Sequence, residues 1–152
     1  MSNLIPVTTP KIVKGYPPNY AEIAKRFPSV RGRQGVLFTY GDVIYNPSGG
    51  EVPIWLVAHE HVHVHQQHRH LLTRQLNPVI WWHLYITNNE FRFEQELEAH
   101  KVELVEYANH ERSQHRRERY LDRVASRLAS PLYDFKFLSK SVAIDYLLGA
   151  ST

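Results

Sequence analysis

Four histidines stand at every second position in the stretch "AHEHVHVH", residues 58–65. Within it, His59, Glu60 and His63 form the pattern H-E-x-x-H. On an α-helix, residues four positions apart lie on one face, about 40° from each other, so both imidazoles can reach one zinc ion. Glu60 is displaced by about 100° from His59, where its carboxylate can meet a zinc-bound water and take its proton. The pattern therefore predicts a zinc site with Glu60 as the general base.

A catalytic zinc site also needs a third protein ligand and one open position. The segment "FEQELEAHKVELVEYA" supplies candidates at helical spacing, because Glu96, His100 and Glu103 share one helix face. Glu96 can ligate the metal, and His100 can either ligate it or hydrogen-bond a ligand. Glu94 and Glu98 lie away from this face, although Glu98 remains a substitute for Glu96. The alternative is a solvated acidic helix that binds no metal.

A β-strand over residues 59–65 is the rival interpretation of the first stretch. It would place four histidines on one face of a sheet: His59, His61, His63 and His65. The flanking segment 54–72 is too long for one strand and lacks turn residues, and the following "QQHRHLLTRQL" is rich in helix formers. In a strand, Glu60 would also point away from the metal. Length and propensity therefore favour the helix.

Other histidines and a basic ridge have ordinary explanations. On the helix, His61, His65 and His68 form a second stripe, which we expect to be a surface or packed face rather than a second metal site. His70 is expected at the cleft rim or in solvent. Four arginines at helical spacing form a ridge that we expect to be solvated: Arg116, Arg119, Arg123 and Arg127. Because no aromatic residues interleave with this ridge, nucleic-acid binding is not expected.

The rest of the chain predicts a mostly α-helical fold with one β-hairpin, of the α+β class. The hairpin is "GVLFTYGDVIYNPSGG", with its turn at Gly41-Asp42. A capping box of Thr87 and Glu90 is predicted to open the glutamate-bearing helix. Helices are predicted over residues 19–27 with Asn19 as cap, 53 to about 76, 79–86, 88–107, 114–128 and a final segment ending at Gly149.

Composition limits the class of protein. The 152 residues, 43% hydrophobic and 22% charged, fit one folded domain with an irregular N-terminal arm at about residues 1–18 and a short strand at 11–14. No apolar run approaches the roughly 18–20 residues that span a membrane. The N-terminus has no secretory pattern, so we expect a cytoplasmic protein or one carried within a phage particle. Because the chain has no cysteine, any zinc site must use histidine and carboxylate ligands.

A hairpin, an H-E-x-x-H helix and a second helix with Glu-x-x-x-(Asp or His) together resemble the gluzincin branch of zinc metallopeptidases. The similarity covers about residues 37–106, and it is greatest to the small single-domain members called minigluzincins, found in phage and bacterial genomes. The resemblance implies zinc ligated by His59, His63 and Glu96, with Glu60 as general base. It also implies that the upstream strand borders the substrate cleft, where an extended peptide could add to the edge.

The chain departs from the gluzincin pattern at one position. The acid expected four residues after the ligand glutamate is here His100. The group that polarises the substrate carbonyl has no assured counterpart either. Three residues are candidates for that role: His83, Tyr85 and Tyr107.

Two functions from different classes follow from these features. The first is a zinc-dependent hydrolase, expected to be a peptidase that acts on a peptide or protein substrate. The second is a non-catalytic zinc-binding protein that serves as a structural or interaction component of a larger assembly such as a phage particle. The intact Glu60 favours the enzyme, because a purely structural zinc does not need it. The small size, without a second domain to form the other side of a substrate cleft, favours the non-catalytic protein.

Overall fold

A computed structural model describes residues 9–71 and 74–149, and for residues 70, 71, 74 and 75 it describes the backbone alone. This part of the chain is mostly helical with a small sheet, which confirms the predicted α+β class. The helices are α1 (Tyr20–Arg26), α2 (Ile54–Gln67), α3 (Pro78–Thr87), α4 (Asn89–His110), α5 (Gln114–Leu128) and α6 (Lys140–Leu147). Among the described helices, none is long and apolar enough to cross a membrane.

The three-stranded sheet contains the predicted hairpin. Its strands are β1 (Lys11–Val13), β2 (Phe38–Tyr40) and β3 (Val43–Tyr45), in the order β1-β3-β2. β2 and β3 are antiparallel and β1 adds parallel to β3. Gly41 adopts a φ of 63° in the turn between β2 and β3, a conformation that glycine reaches without strain. The predicted strand within the N-terminal arm is therefore present, whereas residues 1–8 of that arm lie outside the described residues.

Helix α2 ends at Gln67, so the expectation of one helix to about Leu76 is wrong. His68 caps the helix, and two short antiparallel strands follow, β4 (His70–Leu71) and β5 (Arg74–Gln75). A straight helix would carry Leu76 roughly 13 Å beyond Gln67. The reversal instead buries Leu76 in the core and lets its amide donate to the carbonyl of Arg69. Burial of one leucine and the docking of α3 therefore override helix propensity here.

Two helix caps differ from the predicted ones. Asn88, not Thr87, caps α4, and its side chain accepts a hydrogen bond from the Phe91 amide. Thr87 instead ends α3 and donates to the carbonyl of His83. Asn19 occupies the cap position of α1, but its side chain makes no capping hydrogen bond. α4 also runs three residues further than expected, to His110 rather than Tyr107.

The segment 79–86 is helical, as predicted, and it lies within α3. This helix carries Trp81, Trp82 and Tyr85 into the core, where Trp81 stacks on Tyr85 with ring centroids 4.9 Å apart. Most of the core lies between α1, α3, α5, α6 and the loop that follows α5. The most extensive interface among the described elements joins α2 and α4.

A fully buried arginine ties α3 and α4 to the loop after α5. Arg92 donates to the carbonyl oxygens of Tyr85 and Tyr133 at 2.8 and 2.9 Å, and to the side chain of Asn89 at 2.6 Å. Its guanidinium also lies over the ring of Phe27, 5.1 Å from the centroid. Because Tyr85 and Tyr133 also reach the polar interface of α2 and α4, Arg92 fixes the backbone on which those two tyrosines are carried.

Candidate metal centre

The polar residues of α2 and α4 face each other inside the protein. From α2, His59, Glu60 and His63 are 5%, 7% and 5% exposed. Across the interface, α4 presents Glu96 and His100, 3% and 1% exposed. Burial of this many ionisable groups is costly unless they pair or bind a cation. The helical spacing of four in the sequence predicted these residues, and the structure places them together.

Three side chains have the separations of a tetrahedral metal site. The Nε2 atoms of His59 and His63 are 3.2 Å apart. The Oε2 of Glu96 lies 3.4 Å from the His59 Nε2, and its Oε1 lies 3.5 Å from the His63 Nε2. Ligands about 2.0–2.1 Å from a tetrahedral zinc are separated by roughly 3.3 Å, and each of these three distances is close to that value. The buried His59, His63 and Glu96 could therefore hold a metal ion.

Glu96 has one oxygen that its neighbours leave without a hydrogen bond. Its Oε1 accepts from the hydroxyl of Tyr85 at 2.6 Å, but its Oε2 is buried and has no hydrogen-bond partner among the described residues. An unpaired carboxylate oxygen in the interior is costly, and it is the atom nearest to the His59 Nε2. This atom is suited to bind a cation at the position that the two histidines define.

The outer nitrogens of both histidines have polar neighbours that favour metal binding through Nε2. The His63 Nδ1 is 2.8 Å from the Gln66 side-chain oxygen, and Gln66 itself donates to the carbonyl of Gln95 on α4. The His59 Nδ1 is 2.8 Å from a carboxylate oxygen of Glu103. A proton on Nδ1 in each ring leaves the Nε2 lone pairs directed at the candidate metal position.

His100 belongs to a neighbouring network. Its Nδ1 is 3.2 Å from Glu103, its Nε2 is 3.1 Å from the Tyr133 hydroxyl, and its Nε2 is 3.7 Å from Glu96. A second group of His59, His100 and Glu103 also meets distance criteria for a metal. However, the 2.8 Å between His59 and Glu103 is shorter than the roughly 3.3 Å between ligands of one zinc. The geometry therefore favours Glu103 and His100 as supports of the first group.

Charges within the interface explain the pKa shifts. Burial lowers the pKa of His59, but its contacts with Glu103 and Glu96 outweigh burial and raise it to about 10. Glu96 likewise raises the pKa of His63 against burial. Burial opposes ionisation of Glu96, yet the two histidines lower its pKa well below the usual value. The pKa of His100 is lowered, mainly by burial. The interface is thus a strongly negative environment that stabilises positive charge.

Glu60 lies beside the group without belonging to it. One of its oxygens accepts from the Thr39 hydroxyl at 2.7 Å, and the other is 4.0 Å from the His59 Nε2. This is the position expected of a carboxylate that meets a water molecule rather than the metal. Sequence reasoning missed Thr39, because nothing in "VLFTY" distinguishes a threonine that orients a carboxylate from one that merely suits a strand.

Strand β2 borders the site and lies at the edge of its sheet. The carbonyl of Thr39 already accepts from Gln67 at 2.8 Å and from the Trp82 indole at 3.0 Å. The Gly41 amide donates to the same glutamine side chain. These bonds fix β2 against α2, and they occupy a backbone group that an added peptide strand would otherwise use.

The site opens into a cavity of about 70 Å³. Of the three residues considered for carbonyl polarisation, Tyr85 lines this cavity, but its hydroxyl already donates to Glu96. His83 is exposed and lies in a separate groove with Tyr40. Tyr107 does not line the cavity and stacks on Tyr120, with ring centroids 3.9 Å apart. Only one candidate of the three therefore reaches the site.

The second histidine stripe is directed elsewhere. His61 and His65 are adjacent, with ring centroids 4.8 Å apart, and His68 contacts Asp42 at 3.3 Å. Within the described side chains, the groups that could hold a metal include none of these three histidines. The side chain of His70 lies outside the described residues. Glu98, considered as a substitute ligand, is partly exposed and pairs with Arg69 at 2.7 Å.

The basic ridge of α5 divides into two parts. Arg116, Arg119 and Arg123 are exposed, as expected for a solvated face. Arg127 is partly buried and lines the cavity instead, so its inclusion in the outer ridge is wrong. A signal for this was present: Arg127 follows the buried Tyr120 by seven residues, which places it within about 20° of that residue around the helix.

Comparison with protein-family models, with curated proteins and with solved structures found no match to this chain. We therefore infer the function from the geometry of the site.

Proposed function

We propose that the protein is a zinc-dependent hydrolase that cleaves peptide bonds. The observation that carries the proposal is the arrangement of His59, His63 and Glu96 at tetrahedral spacing with Glu60 beside them rather than among them. Two histidines and one glutamate are the ligand set of several catalytic zinc sites, which keep a fourth position open. The resemblance to minigluzincins supports the same assignment.

The residues around the site would have different roles in hydrolysis. A metal ion held by His59, His63 and Glu96 would supply a Lewis acid and would lower the pKa of a water molecule to about 7. Glu60 is placed to accept a proton from an attacking water molecule and to return it to the leaving amine as the carbon–nitrogen bond breaks. Thr39 holds the Glu60 carboxylate in place through a hydrogen bond, and Gln66 lies within hydrogen-bond distance of the His63 imidazole. Glu103 lies 2.8 Å from the His59 Nδ1.

Replacement of Glu60 by glutamine tests this proposal. Glu60→Gln keeps the size and the contact with Thr39, but it cannot accept a proton. We expect unchanged zinc content and a kcat lower by about 100- to 10,000-fold, the usual contribution of a general base. Zinc is measured by elemental analysis, and turnover is measured with a mixed peptide library read by mass spectrometry. An active Glu60→Gln protein would remove Glu60 from the mechanism.

A second candidate function is a non-catalytic zinc-binding protein, and one observation favours it. The cavity of about 70 Å³ is far smaller than the roughly 300–1,000 Å³ of typical small-molecule sites. A closed structural zinc would take a fourth protein ligand, and His100, whose Nε2 lies 3.7 Å from Glu96, is a candidate. Zinc X-ray absorption separates the two functions, because a closed site has three histidine ligands and an open catalytic site has two.

A further inference from the structure

Arg127 is an arginine that turns inward to the candidate metal site. It lies near the end of α5, whereas the other arginines of its ridge are exposed. Among the described residues that line the cavity, it is the only arginine or lysine. Its Nε is buried and has no hydrogen-bond partner among the described residues, and none of their carboxylates pairs with it. The interior therefore holds a guanidinium whose donors are not all used.

The site explains why this guanidinium stays charged. Nearby Tyr133 raises the pKa of Arg127, and the more distant carboxylates of Glu103, Glu96 and Glu60 add to that effect. Arg92, the fully buried arginine, instead donates hydrogen bonds to Tyr85, Tyr133 and Asn89. Arg127 is therefore the free cation of the cavity, within the described part of the chain.

The surroundings of Arg127 suit an anionic guest. Arg127 lines the cavity together with the candidate metal ligands, and its buried Nε has no hydrogen-bond partner among the described residues. A planar guanidinium is suited to bind a carboxylate through two parallel hydrogen bonds.

We propose that Arg127 binds the carboxylate of the substrate. This inference rests on the proposed hydrolase function and names its substrate class: short peptides or N-acyl amino acids cleaved beside a free C-terminal carboxylate. Apolar side chains of Val36, Leu37 and Leu132 share the cavity and would contact the rest of the terminal residue.

A pair of matched probes tests the inference without turnover. Hydroxamates bind zinc, so we choose alkyl hydroxamates with two to four methylene groups that end in a carboxylate, and compare each with its primary amide. Binding to the zinc-loaded protein is measured by calorimetry. We expect the best carboxylate to bind about tenfold or more tightly than its amide, the usual advantage of a charged pair. Equal binding of carboxylate and amide would overturn the inference.

Variants identify the residue responsible. Arg127→Met should abolish the preference for the carboxylate, and Arg127→Lys should retain only part of it. Arg123→Met, on the exposed face of the same helix, is the matched control and should bind both probes like the wild type. A preference that survives in folded, zinc-loaded Arg127→Met would assign the carboxylate to another group. Failure of the proposed function looks different: either neither zinc nor any hydroxamate binds, or zinc binds and the wild-type protein cleaves no peptide of the library.

Discussion

The Thr39 hydroxyl connects strand β2 to the candidate base. Its hydrogen bond to Glu60 leaves the second oxygen of that carboxylate on the side of His59. Hydrogen bonds to a charged group contribute roughly 1.5–3 kcal/mol when buried, so this one bond can fix the carboxylate in a productive orientation. Thr39 is therefore a positioning residue that acts through Glu60.

Thr39→Val removes this bond and keeps the shape of the side chain. We expect kcat to fall about tenfold or more, because the carboxylate loses the donor that orients it, while zinc content stays unchanged. Turnover of a peptide that the wild type cleaves, together with elemental analysis, measures both quantities. Thr39→Ser keeps the hydroxyl and should recover most of the rate. Equal rates for the valine and serine variants would exclude the positioning role.

Among the helices and strands, the pairing of α2 with α4 could be predicted from the sequence. The end of α2 and the contact of β2 with the site could not. The spacing of four in His59/His63 and Glu96/His100 predicts two helix faces that meet, and the structure places them together. The end of α2 was not predictable from local sequence, because it depends on the burial of Leu76. The role of Thr39 likewise depends on a segment distant in the chain, which periodicity does not report. The inner position of Arg127, in contrast, agrees with its spacing of seven from the buried Tyr120.

Arg92 holds the backbone of Tyr85 and Tyr133 in place through hydrogen bonds to their carbonyl oxygens. Arg92→Met loses hydrogen bonds to the carbonyls of Tyr85 and Tyr133 and leaves both without that donor. We expect the free energy of unfolding to fall by about 3 kcal/mol, measured by urea denaturation. Arg119→Met, on the exposed face of α5, should change it by less than about 0.5 kcal/mol. Similar stability of the two variants would mean that Arg92 does not tie these elements together.

In the whole molecule, the candidate metal site joins the two central helices, α2 and α4. A ligand that binds only the folded chain stabilises it by mass action, so zinc at about a thousand times its Kd should add about 4 kcal/mol to the free energy of unfolding. Thermal unfolding with and without a chelator measures this difference. His63→Ala should lose most of the zinc-dependent gain. A gain that is equal in this variant would indicate zinc binding at a different place.

We propose that His59, His63 and Glu96 hold one zinc ion. The direct measurement is the zinc content per chain after zinc supplementation and dialysis, made in parallel on the wild type, His63→Ala and His61→Ala. We expect one zinc per chain in the wild type and in His61→Ala, because His61 belongs to the other face of α2, and a loss of zinc in His63→Ala. A wild-type protein without stoichiometric metal, or a His63→Ala protein that keeps its zinc, would contradict the proposal.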